Sequence, residues 1–231
     1  MSKTFIESPS REFFSGVRSE LPLLLGVVPF GLVYGVLALQ AGLPLPVAQG
    51  MSAIVFAGAS QLVIAQLVAG GTPLFVIVLT AFVINLRHAL YSASIAPYLK
   101  PLKPAWKWLL AYLLTDEAYG VAIAHYNTPT NSRHKHWFLL GAGLILWTGW
   151  QISTAVGIFL GAQIPAGWSL DFIGRLVFIA LLVPMLNDRP GWLAALTGGI
   201  VSVLAYGLPY KLGMLLAALL GIAVGLWNEG K

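Results

Sequence analysis

The feature that most restricts this chain is a stretch of 66 residues without a charged side chain, between Glu20 and Arg87. Two further charge-free stretches cover residues 136–170 and 190–210. A helix that crosses a bilayer needs about 20 mostly apolar residues, so the first stretch alone has room for two or three crossings. Mean hydropathy is +0.83 and only 9% of residues are charged. These features predict an all-α, polytopic membrane protein.

Composition and motifs also exclude several classes of protein. Such a low charged fraction rules out a soluble globular domain, since soluble domains carry about 25% charged residues, and it rules out a disordered chain. The net charge of +5 does not indicate a nucleic-acid partner, because the basic residues lie at segment ends and in loops, as in membrane proteins. With no cysteine there is neither a disulfide nor a thiolate site. Phosphate-loop, zinc-helix and nucleophile-elbow motifs are lacking, so we expect no enzyme activity, catalytic residue, cofactor or metal site.

The order of apolar segments predicts four regions. Residues 1–20 form an amphipathic N-terminal lead-in that is expected to lie on the membrane surface. Residues 21–126 form a first transmembrane repeat, residues 127–136 a polar loop, and residues 137–228 a second transmembrane repeat. In each repeat a glycine-rich span leads to a short apolar segment, then a turn, then two more spans.

The two short segments, at residues 52–69 and 170–186, decide how the repeats are related. If the first one re-enters and leaves on the same side, the basic loop with Lys100, Lys103 and Lys107 lies in the cytoplasm, as the positive-inside rule favours, and the repeats are inverted. A complete crossing by this segment is the alternative. Interrupted segments at corresponding positions of inverted repeats point to a transporter binding site.

Charged side chains inside predicted spans are the main candidates for function, because such residues usually face the protein interior or a water-filled cavity. Arg87 lies in one span, beside Asn85 and His88, and Asp116 and Glu117 lie near the middle of a span expected at residues 105–126. We expect Arg87 to pair with one carboxylate while the other faces the substrate path. The alternatives are a purely structural ion pair and an Arg87 side chain that extends to the membrane surface.

The run Gly58-Ala59-Ser60-Gln61 has two readings. Small residues there favour a broken helix whose free amides bind a carboxylate. They equally favour a close helix–helix contact in which Gln61 makes an interhelical hydrogen bond. Thr115 likewise either caps a helix break or bonds to the preceding turn.

Four segments carry a resemblance to a known family: residues 21–35, 51–61, 82–99 and 113–122, with the motifs FAGASQ, NLRH and TDE in that order. They resemble the AzlC-type branched-chain amino-acid permease family. The resemblance covers most of residues 10–227 and is strongest before residue 125. It implies a multi-pass exporter of branched-chain amino acids in the bacterial inner membrane, with a small hydrophobic AzlD-type membrane subunit as partner.

Roles for individual residues follow from chemistry rather than from the resemblance. A zwitterionic amino acid needs a site for its carboxylate, a site for its ammonium and an apolar pocket. We assign the carboxylate to the backbone amides near residues 58–61, and the ammonium or a coupled proton to Asp116 or Glu117. Asn85 is a further candidate for substrate binding, and Arg87 and His88 are candidates for the ion pair or proton coupling. Glu117 is the preferred proton carrier because of its longer side chain, and Asp116 the preferred Arg87 partner. The expected apolar pocket consists of Phe56, Phe82 and Tyr119.

The resulting hypothesis is a proton-coupled secondary transporter of small hydrophobic amino acids. Two alternatives stay open. One is a transporter of another small solute, and the other is a channel-like or assembly subunit whose polar cluster is structural.

Overall fold

The computed structural model describes residues 8–128, 134–163, 186, 188–209 and 212–229 of the 231-residue chain. All regular structure in these ranges is helical. The chain divides into two compact units, residues 1–169 and 170–231. The α-helices are, in chain order, α1 Pro9–Glu20, α2 Leu24–Gln40, α3 Leu45–Val55, α4 Gly58–Ala69, α5 Leu74–Leu99, α6 Pro104–Tyr112, α7 Asp116–Tyr126, α8 Lys135–Gly161, α9 Arg189–Leu204 and α10 Leu212–Glu229.

The first unit is organised around one parallel helix pair. A 3₁₀ turn at Leu21–Leu23 joins α1 to α2, so that Pro9–Gln40 forms one helical run along α8. A Cβ atom at Gly16 would lie 2.0 Å from the carbonyl oxygen of Phe138, and one at Gly35 would lie 2.5 Å from that of Thr154. Later residues of α1 and α2 therefore contact later residues of α8, so the two helical runs are parallel. Their backbones approach so closely that only glycine fits at these contacts.

This packing corrects the expectation of a separate lead-in on the membrane surface. α1 is amphipathic, but its buried face, with Glu12, Gly16 and Glu20, packs against α8 and α7 within the helix bundle. The glycine in the middle of that face makes the close approach possible.

α3 and α4 form a first re-entrant hairpin. A four-residue turn brings the chain from the end of α2 to α3, which runs back to the middle of α8, where the helix breaks at Phe56 and Ala57. α4 then returns to the end of the bundle from which α3 came, and packs against α5. Helices of 11 and 12 residues are roughly 17 Å long, about half the thickness of a bilayer core.

α6 and α7 form a second re-entrant hairpin that enters from the opposite end. The ring of Trp106 at the start of α6 lies 5.2 Å from that of Trp137, near the start of α8. The end of α6 reaches the middle of α8, where Trp147 donates to the hydroxyl of Tyr112. α7 then returns to the start of α8, where the ring of His125 stacks on Phe138 at 3.9 Å.

The second hairpin corrects the expectation of a single span at residues 105–126. The chain turns back at residues 113–115, so α8 runs in the same direction as α2. The first spans of the two predicted repeats are therefore parallel, whereas inverted repeats require opposite directions. The second short segment lies outside the described residues apart from Leu186, so the repeat itself stays a prediction.

The second hairpin also brings five basic residues of the first unit to one end, which we call the basic end. It contains the starts of α1 and α8, the end of α7 and the α5–α6 loop; its basic residues are Arg11, Lys100, Lys103, Lys107 and Lys135. Because all five residues lie at the same end of the bundle, all five agree with the positive-inside rule if that end faces the cytoplasm.

In the second unit, α9 and α10 pack as an antiparallel pair. A Cβ atom at Gly213 would lie 2.3 Å from the carbonyl oxygen of Ala205, and one at Gly221 would lie 2.9 Å from that of Ala194. Small residues thus bring these two backbones together, as in other membrane helix pairs.

Four helical segments of the described residues are long and apolar enough to cross a membrane: Pro9–Gln40, Leu74–Leu99, Lys135–Gly161 and Leu212–Glu229. Their presence agrees with the predicted class of polytopic membrane protein. α3 and α4 are apolar but too short to cross alone.

The hairpin topology predicts which residues label from the same side of the membrane. The chain contains no cysteine, so single cysteines report cleanly. We expect Lys103→Cys and Asn127→Cys to react with a membrane-impermeant maleimide from one side, and Gln40→Cys from the other. Labelling of positions 103 and 127 from opposite sides would show that residues 105–126 cross the membrane as one span.

Candidate functional site

The tip of the first hairpin is a helix break with an unusual backbone. Phe56 has φ +40°, in the left-handed region, and Ala57 is extended. A non-glycine residue in a sparsely populated region costs about 1–3 kcal/mol and persists only where the surroundings impose it. Here the Phe56 side chain is buried, and its ring lies 5.8 Å from that of Tyr112 on the other hairpin.

Side chains of the FAGASQ motif satisfy part of the exposed backbone at this break. The amide of Ala57 donates to Oε1 of Gln61 at 3.2 Å, and the hydroxyl of Ser60 donates to the carbonyl of Ala57 at 3.2 Å. Nδ2 of Asn85 on α5 donates in turn to Oγ of Ser60. The helix break predicted for this motif is therefore present, and Asn85 connects it to α5, while carboxylate binding by its amides stays a prediction.

Gly58 also lies in a close helix–helix contact, as the second interpretation of the motif predicts. A Cβ atom there would lie 2.8 Å from the ring of Trp150 on α8 and 3.1 Å from that of Phe30 on α2. The predicted close packing is thus also present at the break, whereas Oε1 of Gln61 accepts from Ala57 within the break itself.

The tip of the second hairpin places acidic residues at a helix N-terminus. Oγ1 of Thr115 accepts from the amide of Ala118 at 3.4 Å, which makes Thr115 the cap of α7. Asp116 and Glu117 are consequently the first two residues of α7, rather than mid-helix residues as the sequence suggested. The positive end of the helix dipole favours negative charge at both positions.

Arg87 on α5 forms an ion pair with Asp116, in which Nη1 donates to Oδ2. The two side chains are 29% and 39% exposed. The expected partner of Arg87 is therefore present, and of the two carboxylates it is Asp116. The pair fixes the start of α7 against the middle of α5.

The two hairpin tips are joined directly. The hydroxyl of Tyr112, in the last turn of α6, donates to the carbonyl of Ala53 in the last turn of α3. That hydroxyl also accepts from Nε1 of Trp147 at 2.7 Å. Hydrogen bonds through Tyr112 thus link the two tips to each other and to α8.

A polar seam between α3 and α8 was not singled out from the sequence. Gln49 donates to Oε1 of Gln151 at 2.8 Å, and the hydroxyls of Ser52 and Thr154 lie 3.1 Å apart. Gln151 also donates to the carbonyl of Ser52, one of the last carbonyls of α3. The sequence pattern that could have revealed this seam is a pair of polar residues three apart on each helix, at positions 49 and 52 and at positions 151 and 154.

The remaining candidates divide between the tips and the outer surface. Tyr119 stacks on Tyr91 with ring centroids 4.5 Å apart, one turn along α7 from Asp116, and His88 lies edge-on to Tyr91. Ala59 lies in the first turn of α4. Phe82 differs from the others because its side chain is 62% exposed on α5, a position that does not support the expected pocket role.

Buried polar atoms without a hydrogen-bond partner among the described residues concentrate around the tips. They include Oε1 of Gln49, Oδ1 of Asn85, Nε of Arg87 and Nε1 of Trp150. Buried polar atoms are nearly always hydrogen-bonded in native proteins, so such a group suggests contacts with water or a solute. Both oxygens of Glu20, a residue missed in the sequence, belong to the same class. Its only signal was that it borders the long charge-free stretch.

Comparison with known proteins gives one family and several relatives. The family described as AzlC protein matches residues 22–164. A membrane protein of Archaeoglobus fulgidus is 31% identical, over 96% of this chain and 97% of its own. The inner membrane protein YgaZ of Escherichia coli K12 is 26% identical, over 95% and 93%. The branched-chain amino acid transport protein AzlC of Bacillus subtilis is 26% identical, over 84% and 77%. No solved structure matches.

The ion pair predicts a specific pattern of rescue. Arg87→Gln alone leaves Asp116 unpaired in the bundle, and breaking a buried pair costs up to about 3–5 kcal/mol, less here because both partners are partly exposed. Adding Asp116→Asn should restore much of the yield and thermal stability in detergent. The control is Arg87→Gln with Glu117→Gln, which should not restore them. Equal rescue by both amide changes would mean that Arg87 does not depend on Asp116.

Proposed function

The chain belongs to the AzlC family, and from this premise we propose that it exports branched-chain amino acids across the bacterial inner membrane in exchange for protons. The name of the Bacillus subtilis relative supports the substrate class. The observation that carries the proposal is the meeting of two oppositely directed half-helix hairpins in the middle of the bundle, with polar groups left unpartnered around their tips. Transporters bind solutes at such breaks in membrane helices.

The two hairpins present different charges at the same depth. α4 and α7 both begin at a tip, so the positive ends of both helix dipoles point into the middle of the bundle. The first turn of α7 carries Asp116 and Glu117, whereas that of α4 carries no acidic residue. The α4 tip therefore favours an anion and the α7 tip a cation.

This arrangement fits a zwitterionic amino acid with an apolar side chain. The amides of Gly58, Ala59 and Ser60 are the proposed site for the carboxylate, as at other helix N-termini. Glu117 is the proposed partner of the ammonium group or the coupled proton, because Asp116 is already paired with Arg87. Phe56 and Tyr119 supply apolar surface near the two tips.

The surroundings of Glu117 support the proposal that it carries the coupled proton. A carboxyl group withdrawn from water, without a fixed cation, binds and releases a proton more readily than one held in an ion pair. Asp116 is held by Arg87, and the structure gives Glu117 no such partner among the described residues. One acidic residue then orders the helices and the other exchanges protons.

The topology suggests an orientation and a place for a partner. The basic end is assigned to the cytoplasm by the positive-inside rule. The proposed AzlD-type subunit is a small hydrophobic membrane protein, and α5 offers it a long apolar face on which Leu74, Phe75 and Leu90 are exposed.

Transport by purified protein in vesicles tests the function directly. With a pH gradient imposed and the small subunit present, we expect labelled valine, leucine or isoleucine to accumulate against its gradient. Omission of the gradient should leave only exchange. No movement of any of the three with the subunit present would reject the substrate class, and equilibration without accumulation would indicate a channel-like subunit. Glycine and glutamate serve as solute controls.

The division of roles between the two carboxylates predicts different defects. Glu117→Gln should abolish pH-driven accumulation and keep exchange, because the amide holds a substrate contact but no exchangeable proton. Asp116→Asn should lower stability through loss of the Arg87 pair, by roughly 1 kcal/mol or more. Melting curves and accumulation assays on the same preparations measure the two defects. Full pH-driven accumulation by Glu117→Gln would contradict the assignment.

A further inference from the structure

Glu20 is a buried carboxylic residue that the proposed transport cycle has not yet used. Its exposed fraction is 0%, and neither of its carboxyl oxygens has a hydrogen-bond partner among the described residues. Glu12, two turns earlier on α1, is also buried, but Oε2 of Glu12 lies 3.0 Å from Nε2 of His125. The same helix face thus holds one carboxyl with a histidine partner and one without.

Close packing keeps Glu20 in place. α1 touches α8 at Gly16 and again at Gly141, where a Cβ atom would lie 2.1 Å from the carbonyl oxygen of Phe13. With the two backbones this near, the Glu20 side chain has little freedom to turn toward water. Between residues 138 and 160, α8 offers no titratable side chain.

α7 provides the nearest charged group. α1 and α7 run in opposite directions and meet at Glu12 and His125, which places Glu117, in the first turn of α7, toward the Glu20 end of α1. The other titratable groups of α7 are Asp116, paired with Arg87, His125, close to Glu12, and the phenols of Tyr119 and Tyr126. Arg11 and Arg18 of α1 are exposed, and Lys135 and His136 lie at the start of α8, near Glu12 rather than Glu20.

We propose that Glu20 is a proton-binding site whose proton exchanges with Glu117. An ionised carboxylate that is fully buried and unpaired is far less stable than the neutral acid, and two neighbouring carboxylates cannot both be ionised cheaply. Glu117 has the dipole of α7 to stabilise its charge and Glu20 has no comparable group. The proton therefore resides on Glu20 while Glu117 is ionised.

This inference rests on the proposed function for its role in transport. Glu20 and Glu117 are not hydrogen-bonded to each other in the described conformation, so the proton passes only when the two side chains come into contact. The O–H bond of Glu20 then breaks as an O–H bond forms on Glu117, and the charge of the pair does not change. Glu117 can then release its proton toward the hairpin tips. Glu20 acts through Glu117 and is a positioning and proton-holding residue rather than a substrate contact.

Infrared difference spectroscopy of the purified protein tests the proton directly. At neutral pH the wild type should show the carbonyl band of a protonated carboxylic acid, and this band should be lost in Glu20→Gln. The matched control is Glu12→Gln, which alters a buried carboxylate of the same helix and should keep the band. A spectrum of Glu20→Gln identical to that of the wild type overturns the proposal.

A second measurement uses the unaltered protein and does not depend on how a variant folds. A hydrophobic carbodiimide reacts with protonated carboxyl groups in apolar surroundings, and peptide mass spectrometry should locate the adduct on Glu20 rather than on Glu12 or Asp116. Absence of an adduct at Glu20 contradicts the proposal, whether or not another carboxyl reacts. Both readouts are independent of amino-acid transport, so they separate failure of this inference from failure of the proposed function.

Discussion

Every interruption of a helix inside a membrane leaves backbone amides and carbonyls that lipid cannot satisfy, and the first unit depends on how this protein meets that constraint. At the first break, Gln61 accepts from the amide of Ala57, and Gln151 donates to the carbonyl of Ser52. Tyr112, from the second hairpin, donates to the carbonyl of Ala53. The partners of one break thus come from its own helix, from α8 and from the other break.

Mutual dependence of the two tips has a mechanical consequence. Tyr112 joins α6 to α3, and the Arg87–Asp116 pair joins α7 to α5. Neither hairpin can withdraw without breaking a hydrogen bond or ion pair in apolar surroundings. Such a linkage favours concerted movement of the two tips, which suits a transporter that opens to one side at a time.

The sequence predicts the local features well and the long-range ones poorly. The charge-free stretches reveal the membrane class, the run at residues 58–61 reveals a break, and Arg87 in a span calls for a carboxylate partner. The second break was signalled by Thr115-Asp116-Glu117, a cap followed by acidic residues, which is a common helix start. It was overlooked because the hydropathy of residues 105–126 resembles a full span, and hydropathy is insensitive to a turn of three residues. Glu20 could not be recognised, because its burial depends on α7 and α8, about 100 residues away in the sequence.

The charges in the middle of the bundle explain why proton and substrate binding should depend on each other. Arg87 and Asp116 neutralise one another, so Glu117 and Glu20 determine the remaining charge. With the inferred proton on Glu20, a single negative charge is left, on Glu117, at the tip where the ammonium of an amino acid is proposed to bind. In the proposed cycle, a bound ammonium keeps Glu117 ionised, and its departure allows Glu117 to take up the proton. If a proton and an ammonium compete for one carboxylate, one is exchanged for the other. This requires that the state in which Glu20 and Glu117 are both ionised and no ammonium is bound is too unstable in apolar surroundings to accumulate.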